Sequence, residues 1–312
     1  MYYLFILMCY SVLLVSCSNE KEEVGSPREV ENPFVFKHNE QEFKINNYFQ
    51  EFEVFLEKAE KQPDKLEKLY KESVIEVLRE NGIGYNELSE WMFITPIDVE
   101  ALEKSVVALI DKQDLINTSI KEALSTSSEQ LPGGNKTIHV MPAIPEFSAT
   151  MKEMKYVTGE VRYKNSMLIL IDPAFSEEDL KHTIVHEYHH LIVKENGYDS
   201  TLLDRSVTEG KADLFAKMQY PDTDVPWIEP LTGYSKEQGW KLFMENLDST
   251  DTGLWYEFTN GNHYKGLDKW SNYKIGYQIM ESFLKENPNV TIEEWTKMPA
   301  EDILLNSEYK VK

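Results

Sequence analysis

The sequence predicts an α+β fold, a small sheet with packed helices, because the spacing of its apolar residues changes period twice. From residue 34 to about 127 apolar side chains recur at helical spacings of three and four. After the break Leu131-Pro132-Gly133-Gly134-Asn135 the pattern alternates as strands do. From Ser176 onward it is helical again. This divides the chain into an apolar leader (1–16), a polar tether (17–33), a helical region (34–130) and a second domain (131–312).

Taken in order, Ile45 to Lys61 and Lys65 to Asn81 read as helices, the second carrying Leu66, Tyr70, Val74, Val77 and Leu78 and stopped by Asn81-Gly82. Pro96 opens a third, with Val99, Leu102, Val106, Val107 and Ile110 on one side. Leu115 to Leu124 adds a short one. Thr137 to Met141 alternates as a strand. Gly159 to Tyr163 and Met167 to Ile171 flank Lys164-Asn165-Ser166 as a β-hairpin, and the unbroken apolar run of the second strand requires cover on both faces. Ser176 followed by Glu177, Glu178 and Asp179 has the form of a helix N-cap with acids in its first turn. Further helices are expected at Leu203 to Met218, Ser235 to Leu247, Tyr273 to Lys285, Ile292 to Trp295 and Ala300 to Asn306. Gly253 to Lys265, rich in aromatics, Asn and Gly, reads as a loop.

The formal charge of −22 disfavours nucleic acid and anionic membrane surfaces as electrostatic partners, since phosphate attraction would be reversed. It reads as a solvated acidic surface, with a preference for basic peptides as the sharper alternative. Both cysteines, Cys9 and Cys17, stand at the start. Met1 to Ser16 is uncharged and almost wholly apolar, too short for a comfortable membrane span, and has the length of a secretory leader. Leu14-Val15-Ser16-Cys17 resembles a bacterial lipobox, although no Lys or Arg precedes the apolar run. The resemblance implies removal of residues 1–16, acylation of Cys17 and a lipid anchor on the outer side of a bacterial cell membrane; an uncleaved anchor is the competing reading.

The chemistry centres on His186-Glu187-Tyr188-His189-His190. Histidines four apart on a helix share a face, so His186 and His190 can grip one metal ion, with Glu187 beside them as a general base. Four of the seven histidines fall between His182 and His190, more than a structural helix needs. His182 and His189 are expected to support the site or lie at the surface. A catalytic zinc needs a third protein donor, and Val207-Thr208-Glu209-Gly210-Lys211-Ala212-Asp213 offers Glu209. Asp213, one turn on, could hold a ligand histidine through its ring N–H. Two histidines and a carboxylate also suit iron(II). An oxyanion donor is expected from Tyr273, Tyr277 or His263.

This constellation resembles the gluzincin class of zinc metallopeptidases. With Leu202-Leu203-Asp204 and Ile275-Gly276-Tyr277 it is more narrowly similar, over about Ile138 to Asn306, to a bacterial family of predicted zinc-dependent proteases. The resemblance implies a zincin-like domain: a small sheet, an active-site helix and a second helix bearing the glutamate ligand. It implies His186, His190 and Glu209 as ligands of one zinc per chain, Glu187 as base, and an extended substrate lying along a sheet edge. That edge would be Met167 to Ile171, or Gly159 to Tyr163 if the latter is outermost. The expected activity is hydrolysis of peptide bonds in a peptide or protein by a zinc-activated water. The alternative is a lipoprotein that binds metal on the same scaffold and acts as a non-catalytic binding or regulatory module.

Overall fold

The computed structural model describes residues 32–83, 93–163, 165–196 and 200–310. The leader, Cys17 and most of the tether lie outside the described residues. Glu31–Lys312 forms one compact unit. It is α+β, with a mixed five-stranded sheet in the order β1-β2-β3-β5-β4. The strands are β1 (Phe34–His38), β2 (Gln41–Asn47), β3 (Lys136–Pro142), β4 (Val157–Tyr163) and β5 (Ser166–Ile171).

The region expected to be helical opens instead with a hairpin. β1 and β2 pair antiparallel around Asn39, which takes the left-handed conformation (φ 53°) that Asn tolerates in turns. β2 then pairs in parallel with β3, across the boundary expected at 130/131. Gln41, Phe43 and Ile45 are buried on alternate positions, a period of two too short to stand out beside the helix that follows. That helix, α1 (Phe49–Lys61), buries Phe49, Phe52, Phe55, Leu56 and Ala59. α2 (Leu66–Tyr70) continues through a π-helical turn at Lys71–Ile75 into α3 (Glu76–Glu80), together matching the second expected helix. α4 (Val99–Asp111), capped by Asp98, buries Leu102, Val106 and Leu109 but leaves Val107 exposed, so its inner face is rotated from the one expected. α5 (Gln113–Gln130) is longer at both ends than the sequence suggested.

β5 runs through the sheet interior and uses both faces. Met167, Ile169 and Ile171 join the core formed with α5 and the later helices, whereas Leu168 and Leu170 join the core under α1 to α4. The expected hairpin is present, with β4 antiparallel to β5, and β4 is the outer edge. After β3 come α6 (Ser148–Glu153), β4 and β5, and then the long α7 (Glu177–Asn196), started by Ser176 accepting the Asp179 N–H at 3.0 Å. α8 (Leu202–Gln219) follows, then α9 (Gly233–Met244) and α10 (Thr252–Asn260). α10 replaces part of the loop expected at Gly253 to Lys265; Asp251 caps it by accepting the Gly253 N–H at 2.8 Å. α11 (Ser271–Glu286), α12 (Ile292–Lys297) and α13 (Ala300–Leu305) complete the chain. Among the described residues no helix is long and apolar enough to cross a membrane.

One crossing positions the site. α11 lies against α8 with Gly276 over Gly210: a Cβ on Gly276 would fall 1.7 Å from the Ser206 carbonyl oxygen, and one on Gly210 would fall 2.3 Å from the Gly276 backbone. Neither position accepts a side chain, and the resulting close approach sets where the N-terminal turn of α11 reaches.

Candidate metal centre

α7 supplies His186, Glu187 and His190, and α8 supplies Glu209 and Asp213. α8 is fixed at its start by a capping box in which Thr201 accepts the Asp204 N–H at 3.0 Å and Asp204 accepts the Thr201 N–H at 3.2 Å. Asp204, noted in the sequence as part of a motif, therefore serves the helix rather than the cleft.

The three expected donors meet. His186 Nε2 and His190 Nε2 are 3.0 Å apart, His190 Nε2 lies 3.1 Å from Glu209 Oε2, and His186 Nε2 lies 3.3 Å from it. A tetrahedron with donors about 2.0–2.1 Å from its centre has edges of about 3.3–3.4 Å, so these separations suit one ion bound by three protein atoms. Among the described residues they form the group able to hold a metal. Asp213 is fully buried, and its Oδ1 lies 2.9 Å from His186 Nδ1. A carboxylate oxygen only accepts, so Nδ1 carries the proton and Nε2 is left facing the other donors. Trp227 Nε1 donates to the same Asp213 oxygen at 3.0 Å and fixes it in turn.

Glu187 is buried against the sheet edge. A Cβ on Gly159 in β4 would meet Glu187 Cγ at 2.3 Å and Oε1 at 2.8 Å, so the strand makes room for this side chain only because residue 159 has none. Burial raises the Glu187 carboxyl above the ordinary range, opposed by the charges of His186 and His190. Tyr273, on the first turn of α11, lines the cleft beside Glu209. Burial, then the Glu209 charge, pushes its hydroxyl well up, which keeps it an O–H donor. The cleft has a volume of about 480 Å³; β4 residues Gly159 to Val161 line it together with the metal-site face of α7 and α8.

Other residues singled out in the sequence sit elsewhere. Tyr277 is one turn beyond Tyr273, beside Glu281, and is not among the residues lining the cleft. His263 belongs to a 3₁₀ turn (His263–Lys265) that does not line it either. His182 and His189 are not surface residues. His189 is fully buried, stacked on Trp295 at 5.4 Å, and held neutral mainly by burial. His182 is likewise buried, its pKa lowered to about 4 chiefly by desolvation.

Sequence reasoning missed Gly159, Trp227 and Arg205. A glycine inside a strand signals close approach, and Arg205 stands one helical turn before Glu209, so both left a readable trace. Trp227 left none, because only the tertiary fold brings it to Asp213.

The electrostatics of the cluster set a pH dependence. Burial works to lower the His186 pKa, but the charge and hydrogen bond of Asp213, with the Glu209 hydrogen bond, outweigh it and hold the pKa well above the ordinary 6.5. Burial likewise opposes ionisation of Glu209, yet His190 and the two histidine hydrogen bonds hold its carboxyl far below the usual range. The metal-free site thus carries a proton on His186 that an incoming cation displaces. If zinc takes this site, its affinity is expected to fall by about one decade per pH unit below the raised His186 pKa, and zinc titrations over a series of pH values register the fall. Equal affinity across that series contradicts proton displacement at His186.

The fold and these donors define an α+β protein with a three-donor site that could bind a metal at the foot of an open cleft. The particular family follows from comparison. A family model described as "Predicted Zn-dependent protease (DUF2268)" matches residues 116–305, well over half of the chain, and the chain belongs to that family. The match begins within α5 and takes in the whole site. Searches of curated proteins and of solved structures each found no match.

Proposed function

We propose that the protein is a zinc-dependent peptidase of zincin-like design, and that His186, His190 and Glu209 hold one zinc ion per chain. The observation that carries this reading is the convergence of those three donor atoms within 3.0–3.3 Å of one another, with a buried glutamate beside them. When bound, zinc supplies Lewis acidity, acidifying a water and polarising a carbonyl. Glu187 takes the proton of the attacking water and delivers it to the amine nitrogen as the C–N bond breaks. Tyr273 donates its hydroxyl hydrogen to the developing oxyanion. Asp213 keeps His186 in the tautomer that presents Nε2.

The substrate lies extended along β4. Lys194 donates to the Val161 carbonyl, so that carbonyl faces the outer edge. Residues two apart in a strand present their backbone groups to the same side, so Gly159 turns its N–H and C=O to the same open edge, directly above Glu187. An added strand would place a scissile carbonyl there. The metal-binding, non-catalytic alternative leaves a buried Glu187 and the space kept for it without a purpose.

Hydrolysis of a mixed peptide library by the zinc-loaded protein, lost on chelation and restored by zinc, is the expected result; a zinc-loaded protein that cuts nothing sinks the peptidase reading. The protein is further proposed to be lipid-anchored through Cys17 on the extracytoplasmic side of a bacterial membrane, on the strength of the apolar residues before Cys17 and the polar ones after it. Cys17→Ser then moves it to the soluble fraction, and its continued sedimentation with membranes contradicts lipidation.

A further inference from the structure

The metal cleft contains a cation that the mechanism above does not use. Arg205 lines it, one turn before Glu209 on the same face of α8. Its side chain is half-buried, and its Cζ sits 5.6 Å over the ring of Trp255, which comes from α10 and lines the same cleft. Among the described residues no carboxylate pairs with it and no partner accepts a side-chain hydrogen bond from it. In a chain of net charge −22 this is unusual company for an arginine. Contact with an aromatic face holds a guanidinium in place but uses none of its N–H groups, which lie in its plane and point outward from its edge. A half-buried cation that gives up water without gaining an acceptor is incomplete, and a planar fork of donors is completed best by a carboxylate.

We propose that Arg205, steadied by Trp255, is a carboxylate-binding subsite of the cleft, so that the preferred substrates are peptides carrying a carboxylate a short distance from the bond to be cut. The distance follows from the helix. Arg205 and Glu209 are four positions apart on α8, a rise of about 6 Å, and helical side chains lean towards the N-terminus, away from the metal donors. An extended peptide advances about 3.3 Å per residue, so the carboxylate belongs roughly two residues from the scissile carbonyl. Either a free peptide C-terminus or an Asp or Glu side chain supplies it. This runs against the preference for basic peptides that net charge alone suggests, because a local unpaired cation acts at contact distance while the surface charge is screened within about 10 Å.

The inference rests on the peptidase reading, and its test separates the two. Zinc-loaded Glu187→Gln protein is titrated calorimetrically with peptide twins that differ only in a carboxylate: a free C-terminus against its amide, and, in amidated peptides, Glu against Gln at one position. The carboxylate twin of at least one pair is expected to bind about tenfold or more tightly. The responsive pair identifies the source of the carboxylate. Adding Arg205→Met, which keeps the aliphatic stem over Trp255, brings the ratio between twins close to one. Adding Arg205→Lys, which keeps the charge without the fork, leaves an intermediate ratio. Twins that bind equally or not at all overturn the subsite, as does a preference undiminished in Arg205→Met with its zinc content intact. A clear Arg205-dependent preference in a wild-type protein that cuts none of these peptides leaves the subsite standing and removes the peptidase reading alone.

Discussion

Glu187→Gln is expected to retain one zinc per chain and to lower kcat for peptide hydrolysis by about 10²–10⁴-fold. Gln has nearly the shape of Glu, so the tight packing under Gly159 is preserved. What is lost is the group that accepts a proton and returns it. None of the three converging donors is touched, so metal content should not change. The environment of Glu187 makes the effect specific. It is buried beneath Gly159, with its carboxyl pushed up by desolvation in the metal-free site. Measured kcat within a factor of a few of wild type, at equal zinc content, removes Glu187 from the proton transfer.

The second large effect is expected at Gly159, outside the metal-binding motif. Gly159→Ala adds one methyl group at a position that meets Glu187 Cγ at 2.3 Å and Cδ at 2.7 Å. The Gly159 backbone is not in the left-handed region, so the strand itself accepts alanine. Something must give, and the end of the Glu187 side chain yields more easily than a paired strand. A displacement of about 1 Å at a catalytic group costs about 10²-fold in kcat, with zinc still bound. Full activity in Gly159→Ala would mean that the Glu187 position seen here is not the one used in the reaction. Because Gly159 also presents its backbone to the open edge of β4, the same variant should raise KM modestly, and the split between kcat and KM reports both effects.

Much of the site was legible in the sequence for a physical reason: helices turn fixed spacings into shared faces. His186 and His190 at four residues, and Glu209 and Asp213 at four residues, each become neighbours as soon as the helix forms. Nineteen residues from His190 to Glu209 are enough for α7 to end and α8 to return, and the distances bear this out. The apolar run of β5 likewise announced a strand covered on both faces. The rest depended on contacts between distant segments. β1 and β2 are short, and their period of two merges into the helical signal of α1. α10 was hidden among aromatic and turn-forming residues, because one Asp251 cap decides it. On α4 the sequence places Leu102 and Val106 on the buried side correctly, but α1 and the sheet bury Leu109 with them and leave Val107 exposed. Tyr273 and Tyr277 were indistinguishable in sequence; the Gly210–Gly276 crossing brings the first into the cleft and leaves the second beside Glu281. Trp227, which steadies Asp213, has no local signature at all.

The account stands or falls on whether His186, His190 and Glu209 act together as one metal site. The direct measurement is the metal content of protein purified without added metal and then re-equilibrated with zinc, for the wild type and for Glu209→Ala. The wild type should hold one zinc per chain. Glu209→Ala should hold far less under the same conditions, since among the described residues only the two histidines of the three-donor group, 3.0 Å apart, would remain. A folded wild-type protein with no stoichiometric zinc, or a Glu209→Ala variant with a full complement, contradicts the three-donor centre on which the proposed function is built.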